Sequence, residues 1–271
     1  MNLRRTDFYL IFFLDGLCLS QIGKRFIWLR NDMTNKTKSK KKRQTTRKAR
    51  PEQVHELKIT LKNSKPPIWR QVAVPSDIPL GDLHWVIQIV MGWTNSHLHQ
   101  FIIPSNRPRP TKDEIHSMRM KGQWHKLAEY TRRGRLFSDP RFELEDIEDE
   151  RKVKLCELAP DVKSKLIYEY DFGDGWNHII EAKKIGPPQE NVNYPVCLNG
   201  EFACPPEDCG GIWSYYEMLE ILEDPKHEQY EEYAGWLGGD FDPEYFDIGQ
   251  VNSVLANFEK EIKQRRRWEI Y

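Results

Sequence analysis

Two predicted strands, joined by the sequence Gly173-Asp174-Gly175-Trp176, constrain the fold more than any other feature of the chain. In residues 165–172, Leu166, Tyr168 and Tyr170 occupy alternate positions, which is typical of a half-buried strand, and residues 177–185 are predicted to form the second strand. An Asp-Gly pair between two such strands favours a tight turn, because both residues tolerate positive φ. The segment predicts an antiparallel β-hairpin with at least one turn residue at positive φ, and Trp176 is expected to pack against the loop at 204–211.

A second hairpin is predicted nearer the amino terminus. Residues 54–61 end in alternating apolar positions, Lys65-Pro66-Pro67 interrupts them, and residues 68–74 form another apolar stretch. Proline removes a backbone donor and favours a loop at this point. We therefore expect two antiparallel strands joined by an extended Pro-rich connection.

Helices are predicted from apolar residues spaced three and four apart. The clearest is 81–91, where Leu83, Val86, Ile87 and Val90 form one stripe and Gly92 follows as a stop. Other helices are expected in the ranges 212–223, 227–236 and 249–266, after a Pro- and Gly-rich loop at 186–211. Residues 104–150, which precede the hairpin at 165–185, are weakly patterned. Within them, 111–130 is expected to be partly helical, and 139–151 is expected to be exposed. The fold class is α+β, a mixed and mainly antiparallel sheet with packed helices, in one domain over 51–271.

Charge is distributed unevenly along a chain whose net charge is zero. Residues 36–50 contain nine Lys or Arg and no acid, and residues 1–35 add a net +2, so residues 51–271 sum to −11. A basic segment of this kind is expected to be disordered. Two roles are compatible with this segment. One is weak, non-specific nucleic-acid binding through Lys40, Lys41, Lys42 and Arg43, and the other is that of a solubilising tail. The acidic remainder is a poor candidate for sequence-independent DNA binding, which needs basic surface.

Residues 1–50 are expected to be a disordered or mis-annotated extension of the domain. The apolar run at 8–14 is much shorter than the about 20 residues that a membrane span needs, so no membrane partner is expected. Met33 begins a polar segment and is an alternative start. Five Cys, an odd number, indicate reduced thiols and a cytoplasmic location.

Several motifs, in order over about 200 residues, resemble the plasmid pRiA4b ORF-3-like family. They are Ile68-Trp69-Arg70, Met91-Gly92-Trp93, His97-Leu98-His99-Gln100-Phe101, Tyr168 to Asp174 with Trp176 and His178, Tyr194-Pro195-x-Cys197, Cys204 to Gly211, Trp236-Leu237 and Phe241-Asp242-Pro243. The resemblance implies an α+β domain found in plasmid and mobile-element contexts, where some members have a transposon-passenger or resolvase-like label. It implies no activity. The chain departs from the family pattern at Ser214-Tyr215 and within 104–150.

Several enzyme classes are excluded by missing motifs. Asp171-Phe172-Gly173 matches the kinase tripeptide, but no Gly-rich phosphate loop or His-Arg-Asp motif precedes it. The chain also lacks a P-loop, a dinucleotide fingerprint and a Gly-x-Ser-x-Gly elbow. A resolvase needs a catalytic serine among arginines and a basic helix-turn-helix, and neither is evident.

The family-like segments contain a set of polar residues that would form a cleft if they converged. His97 and His99 are expected on one face of a strand at 97–103, and such a pair can hold a metal or bind loop backbone. The predicted cleft consists of His97, His99, Asp171, Asp174, Trp176, His178, Glu207 and Asp208. Cys197, Cys204 and Cys209 are spaced by seven and five, close to the spacing of structural zinc sites, so zinc is a possible cofactor; packing is the alternative role of these thiols.

Two functions follow as hypotheses. The first is a binding or interaction module for an unknown protein or small ligand, associated with mobile elements, which suits nine Trp residues, a long loop and an acidic body. The second is a metal-dependent enzyme of the hydrolase type, built on the His and carboxylate residues.

Overall fold

The structure is a computed structural model that describes residues 51–104, 111–124, 134–239 and 241–268, with side chains described as far as residue 264. The predictions for residues 1–50, including the basic segment with Lys40, Lys41, Lys42 and Arg43, lie outside the described residues. So do residues 125–130 of the segment predicted to be partly helical at 111–130, whose described part contains the helix Lys112–Met120.

Eight strands form one sheet in the described ranges. They are β1 (Val54–Leu61), β2 (Trp69–Pro75), β3 (His99–Pro104), β4 (Gly134–Ser138), β5 (Ile147–Asp149), β6 (Lys165–Tyr170), β7 (Trp176–Gly186) and β8 (Val196–Glu201). The strand order is β5-β4-β3-β6-β7-β1-β2-β8, and every neighbouring pair is antiparallel except β4 and β5. The predicted α+β class with a mixed, mainly antiparallel sheet is therefore confirmed.

Seven helices accompany the sheet in the same described ranges. They are α1 (Leu80–Met91), α2 (Lys112–Met120), α3 (Leu155–Leu158), α4 (Gly211–Glu223), α5 (Tyr230–Leu237), α6 (Ile248–Leu255) and α7 (Phe258–Trp268). None of them combines the length and the apolar character that crossing a membrane requires. Helix α1 is buried at every residue except Asp82, so it lies between the sheet and other parts of the protein and not at the surface.

Both predicted hairpins are confirmed. The turn between β6 and β7 begins earlier than predicted, at Asp171. In the β6–β7 pair, Tyr170 lies opposite Trp176, so residues 171–175 form a five-residue connection. Positive φ occurs at Asp171 and Gly175, at its two ends, and Gly175 donates its N–H to the Asp171 carbonyl. Asp171 adopts this conformation because its own side chain accepts two backbone N–H groups of the turn.

Two predictions from local sequence were wrong, and one segment without a predicted strand contains two strands. The loop predicted at 186–211 contains β8, which pairs with β2 and whose Cys197 backbone N–H and carbonyl both bond the Asn252 side-chain amide. The helix predicted at 249–266 is two helices, α6 and α7, because Asn257 donates from its side chain to Ser253 and interrupts the regular pattern. The weakly patterned segment 104–150 contributes β4 and β5.

The acid-rich segment 139–151 was expected to be exposed, and two of its acids are buried. Asp139 accepts hydrogen bonds from Arg141, and Glu150 pairs with the buried His99 at 2.9 Å. Each buried carboxylate thus has a cationic or hydrogen-bonding partner, which is the condition for burying it. The Glu150–His99 pair fastens the segment to β3, whereas the Asp139–Arg141 pair lies within the segment itself.

Candidate functional site

Two neighbouring strands bring the first two site residues together. His99 pairs with Tyr170, and the Asp171 N–H donates to the Leu98 carbonyl at 2.9 Å, which extends the ladder beyond the strand ends. His97 and Asp171 therefore lie side by side, with 3.6 Å between His97 Nε2 and Asp171 Oδ2. Antiparallel pairing alone determines this proximity.

The loop after β8 brings the third residue. Glu207 accepts hydrogen bonds from the Tyr170 hydroxyl and from the N–H and hydroxyl of Thr94, the last two at 3.0 and 2.6 Å. The Trp93 indole N–H also donates to the Pro205 carbonyl at 3.0 Å. With its neighbour held in this way, Asp208 reaches His97, and its Oδ1 lies 3.0 Å from Nε2.

The result is a group that we call the His97–Asp171–Asp208 cluster. One ligand atom from each of the three side chains lies within 4.8 Å of the others, and among the described residues this is the one group of its kind. The Asp171 side chain is 10% exposed, that of His97 27% and that of Asp208 67%, so the cluster opens to solvent on the Asp208 side. His97 Nε2 is buried and has no well-directed hydrogen bond to any described residue, although Asp208 Oδ1 is close.

The electrostatic environment of the cluster favours a positive charge. Asp174, in the same turn, accepts the Gly210 N–H at 3.1 Å. Burial raises the pKa of the Asp174 carboxyl, and the nearby carboxylates of Asp171 and Asp208 raise it further. Carboxylates that oppose one another's ionisation in this way are stabilised by a cation placed among them.

Four other residues of the predicted cleft have different surroundings. Glu207 supports the loop, as described above. His99 and His178 are buried in the core, where His99 stacks on His84 at 3.6 Å and His178 packs against Trp93. Trp176 is also buried, with its ring 6.1 Å from that of Trp93.

The three cysteines do not join the cluster. Burial raises the pKa of Cys197 to about 11 and that of Cys204 and of Cys209 to about 12. A thiol must lose its proton to bind a metal well. In the described part of the chain, no close group of three ligand atoms includes any of these sulfurs.

Sequence reasoning overlooked the residues that position the loop. Tyr170 was seen only as a strand residue, and Thr94 was not considered. Burial and the Glu207 carboxylate raise the pKa of the Tyr170 hydroxyl, which therefore remains a donor. The link between turn and loop, expected from Trp176, includes direct hydrogen bonds from Tyr170 to Glu207 and from Gly210 to Asp174. The Met91-Gly92-Trp93 motif could have indicated one of these positioning residues, since the Trp93 indole N–H donates to the Pro205 carbonyl.

Replacing Gly211 with alanine should cost about 2 kcal/mol more stability than replacing Gly175 with alanine. Both glycines have positive φ, +84° and +68°, which strains any side chain. A Cβ at Gly211 would lie 2.6 Å from the Asp174 carbonyl oxygen, whereas a Cβ at Gly175 meets no atom within 4 Å. Urea denaturation of the two variants measures the difference. Equal losses would contradict the close approach of the turn to the start of α4.

The chain is similar to known proteins along most of its length. The family model for plasmid pRiA4b ORF-3-like protein matches residues 53–250. The "Uncharacterized protein y4hQ" of Sinorhizobium fredii (strain NBRC 101917 / NGR234) is 34% identical over 219 residues, 78% of this chain and 95% of that protein. The crystal structure of the protein of unknown function MM3350 from Methanosarcina mazei Go1 is 37% identical, with a TM-score of 0.57, over 73% of this chain and 97% of that one. Neither description names a ligand or an activity.

Proposed function

The chain belongs to the plasmid pRiA4b ORF-3-like family, and we propose that it is a binding module whose ligand carries positive charge and is held at the His97–Asp171–Asp208 cluster. The observation that carries this proposal is the convergence of three separate chain segments on one partly open polar site. Its residues come from the segment around 97, from the turn at 171–175 and from the loop at 203–210.

Preorganisation of the loop supports binding. Four directed contacts fix the loop before any ligand arrives: Tyr170 and Thr94 with Glu207, Trp93 with Pro205, and Gly210 with Asp174. A site that is already ordered loses less conformational entropy when it binds. The net charge of −11 over residues 51–271 favours the approach of a cationic ligand.

The hydrolase hypothesis is not favoured. A metal-dependent hydrolase needs, besides the ion, a group that takes a proton from the attacking water. Glu207, one candidate of the predicted cleft, is already engaged by Tyr170 and Thr94. His178 lies in the core, where it cannot reach a substrate.

The proposal is tested by calorimetric titration of the full chain with MgCl2, ZnCl2 and spermidine. At least one of these cations should bind with one site per chain, and Asp208→Asn should lower its affinity at least tenfold. Asp161→Asn is the matched control, since Asp161 is an exposed acid in another turn. If none of the three cations binds, or if the two variants behave alike, the proposal is wrong.

We propose, from the family's plasmid and mobile-element contexts, that the protein serves such elements in the cytoplasm, with the basic segment as a weak nucleic-acid contact. Duplex DNA binding should then weaken steeply with salt, with a log–log slope of about −0.9 for each phosphate contacted. Fluorescence anisotropy at several salt concentrations measures this slope. A chain that starts at Pro51 should lose the binding; affinity that persists there would place the contact on the acidic domain.

A further inference from the structure

We propose that the cation bound at the His97–Asp171–Asp208 cluster is a divalent transition-metal ion of the zinc class, coordinated by His97 Nε2, Asp171 Oδ2 and Asp208 Oδ1. This inference rests on the proposed function, because it names the ligand of the same site. It goes beyond that function in assigning the three donor atoms and the class of ion.

The spacing of the donor atoms suits such an ion. Zinc binds imidazole nitrogen and carboxylate oxygen at about 2.0–2.2 Å, so two donors in a tetrahedral site lie about 3.4 Å apart. The two separations from His97 Nε2 are 3.0 Å to Asp208 and 3.6 Å to Asp171, on either side of this distance. The three donor atoms all lie within 4.8 Å of one another, so a shift of the exposed Asp208 side chain would bring all three to coordinating distance.

The nitrogen donor distinguishes between classes of ion. His97 Nε2 is buried and lies close to both carboxylates, and in the described ranges it makes no well-directed hydrogen bond. Magnesium and calcium prefer oxygen ligands alone. One imidazole with two carboxylates is a donor set that suits zinc and similar first-row ions. An organic cation such as spermidine could only donate a hydrogen bond to this nitrogen, whereas a metal ion would coordinate it directly.

Groups behind the donors hold two of them in place. Asp171 Oδ1 accepts the N–H groups of Gly173 and Asp174 at 2.9 and 3.2 Å, which leaves Oδ2 directed at His97. Asp208 follows Glu207, which Tyr170 and Thr94 hold. Outer contacts of this kind orient metal ligands and raise affinity. Since Asp208 is largely exposed, the fourth position of the ion would face solvent.

The test compares zinc affinity in three full-length chains by calorimetry, with MgCl2 and spermidine titrated in parallel. Wild type should bind one Zn²⁺ per chain more tightly than either other cation, and His97→Asn should lose at least tenfold in zinc affinity. His116→Asn, a change at an exposed histidine of α2, should leave the zinc affinity unchanged. Thermal unfolding without metal checks that both variants are folded; if His97→Asn is not, Asp208→Asn serves in its place.

Two further outcomes separate this inference from the proposed function. If Mg²⁺ or spermidine binds in an Asp208-dependent way and Zn²⁺ binds less tightly, the zinc-class assignment fails and the cation-binding module stands. If zinc binds equally well to wild type and to folded His97→Asn, the coordination by His97 is wrong. If no cation binds at all, both proposals fail together.

Discussion

Replacing Arg70 with methionine should lower the free energy of unfolding by about 4 kcal/mol, the loss expected when a buried, fully bonded charge is removed and its partners stay buried. Arg70 is buried in β2 and its guanidinium stacks on Phe246, with 3.9 Å to the ring centre. It donates at 2.8 Å to the carbonyl oxygens of Val90, Trp69, Glu201 and Phe202. Methionine fills much of the volume but leaves these four acceptors without a donor.

This large effect follows from where the four carbonyls lie. They belong to α1, to β2 and to the end of β8 with the residue after it, so one side chain joins three elements of the fold. Burial lowers the pKa of Arg70, but an arginine this basic stays protonated at every pH at which the protein is studied. Lysine cannot replace it, because an ammonium group does not present the planar set of donors that this arrangement uses.

Urea denaturation at neutral pH measures the loss. Arg135→Met is the matched control. Arg135 forms a bidentate salt bridge with Glu148, but the two side chains are 58% and 45% exposed, so water screens the interaction. The control should lose less than about 1 kcal/mol. Comparable losses in the two variants would show that the carbonyls around Arg70 find water or other donors.

Acidification should destabilise the wild-type protein through His178 by about 3 kcal/mol between pH 6.5 and pH 4. Burial lowers the pKa of His178 from 6.5 to about 4. Within the described part of the chain neither ring nitrogen makes a well-directed hydrogen bond, and the ring lies among Trp93 and Tyr168. An imidazolium ion there would be desolvated, and the backbone of Tyr168 and Trp176 would offset only part of that cost.

The direction follows from proton uptake by the two states. Above pH 6.5 both states are neutral at this residue, and the stability is fully present. As the pH falls below 6.5 the unfolded chain binds a proton first, so stability is lost progressively until the folded protein also binds one near pH 4.

Measuring the free energy of unfolding from pH 4 to pH 7 tests this for wild type and for His178→Phe. The phenyl ring is similar in size and does not titrate. The slope of the free energy of unfolding against pH should therefore be smaller in the variant than in wild type, by about 1.4 kcal/mol per pH unit. Parallel pH profiles would mean that His178 has the same pKa in the folded and the unfolded chain.

Local sequence was sufficient for the elements whose partners lie next to them in the chain. The strands predicted at 165–172 and 177–185, with the Asp-Gly pair between them, correspond to β6 and β7 within two residues at each end. The helical stripe of 81–91 predicted α1 within one residue. Hydrophobic periodicity records which face is buried, so it predicts an element whenever that element has one apolar face.

Elements stabilised by distant partners were not visible in this way. Strand β8 depends on β2 and on the Asn252 amide, and Glu150 is buried because His99 meets it. Their local sequence is polar or rich in Pro and Gly. The free energy that orders them comes from partners about 50 to 130 positions away in the chain, which periodicity does not record.

The candidate site was predictable as a set of residues but not as an arrangement. The motifs singled out all three members of the His97–Asp171–Asp208 cluster, yet gave them no preference over His99 and His178, which the fold directs into the core. The choice depended on the register of β3 against β6 and on the Tyr170–Glu207 hydrogen bond. Sequence alone determined which side chains were available for binding. The tertiary structure decided which of them meet, because a strand's register and a loop's anchoring residue determine which side chains converge.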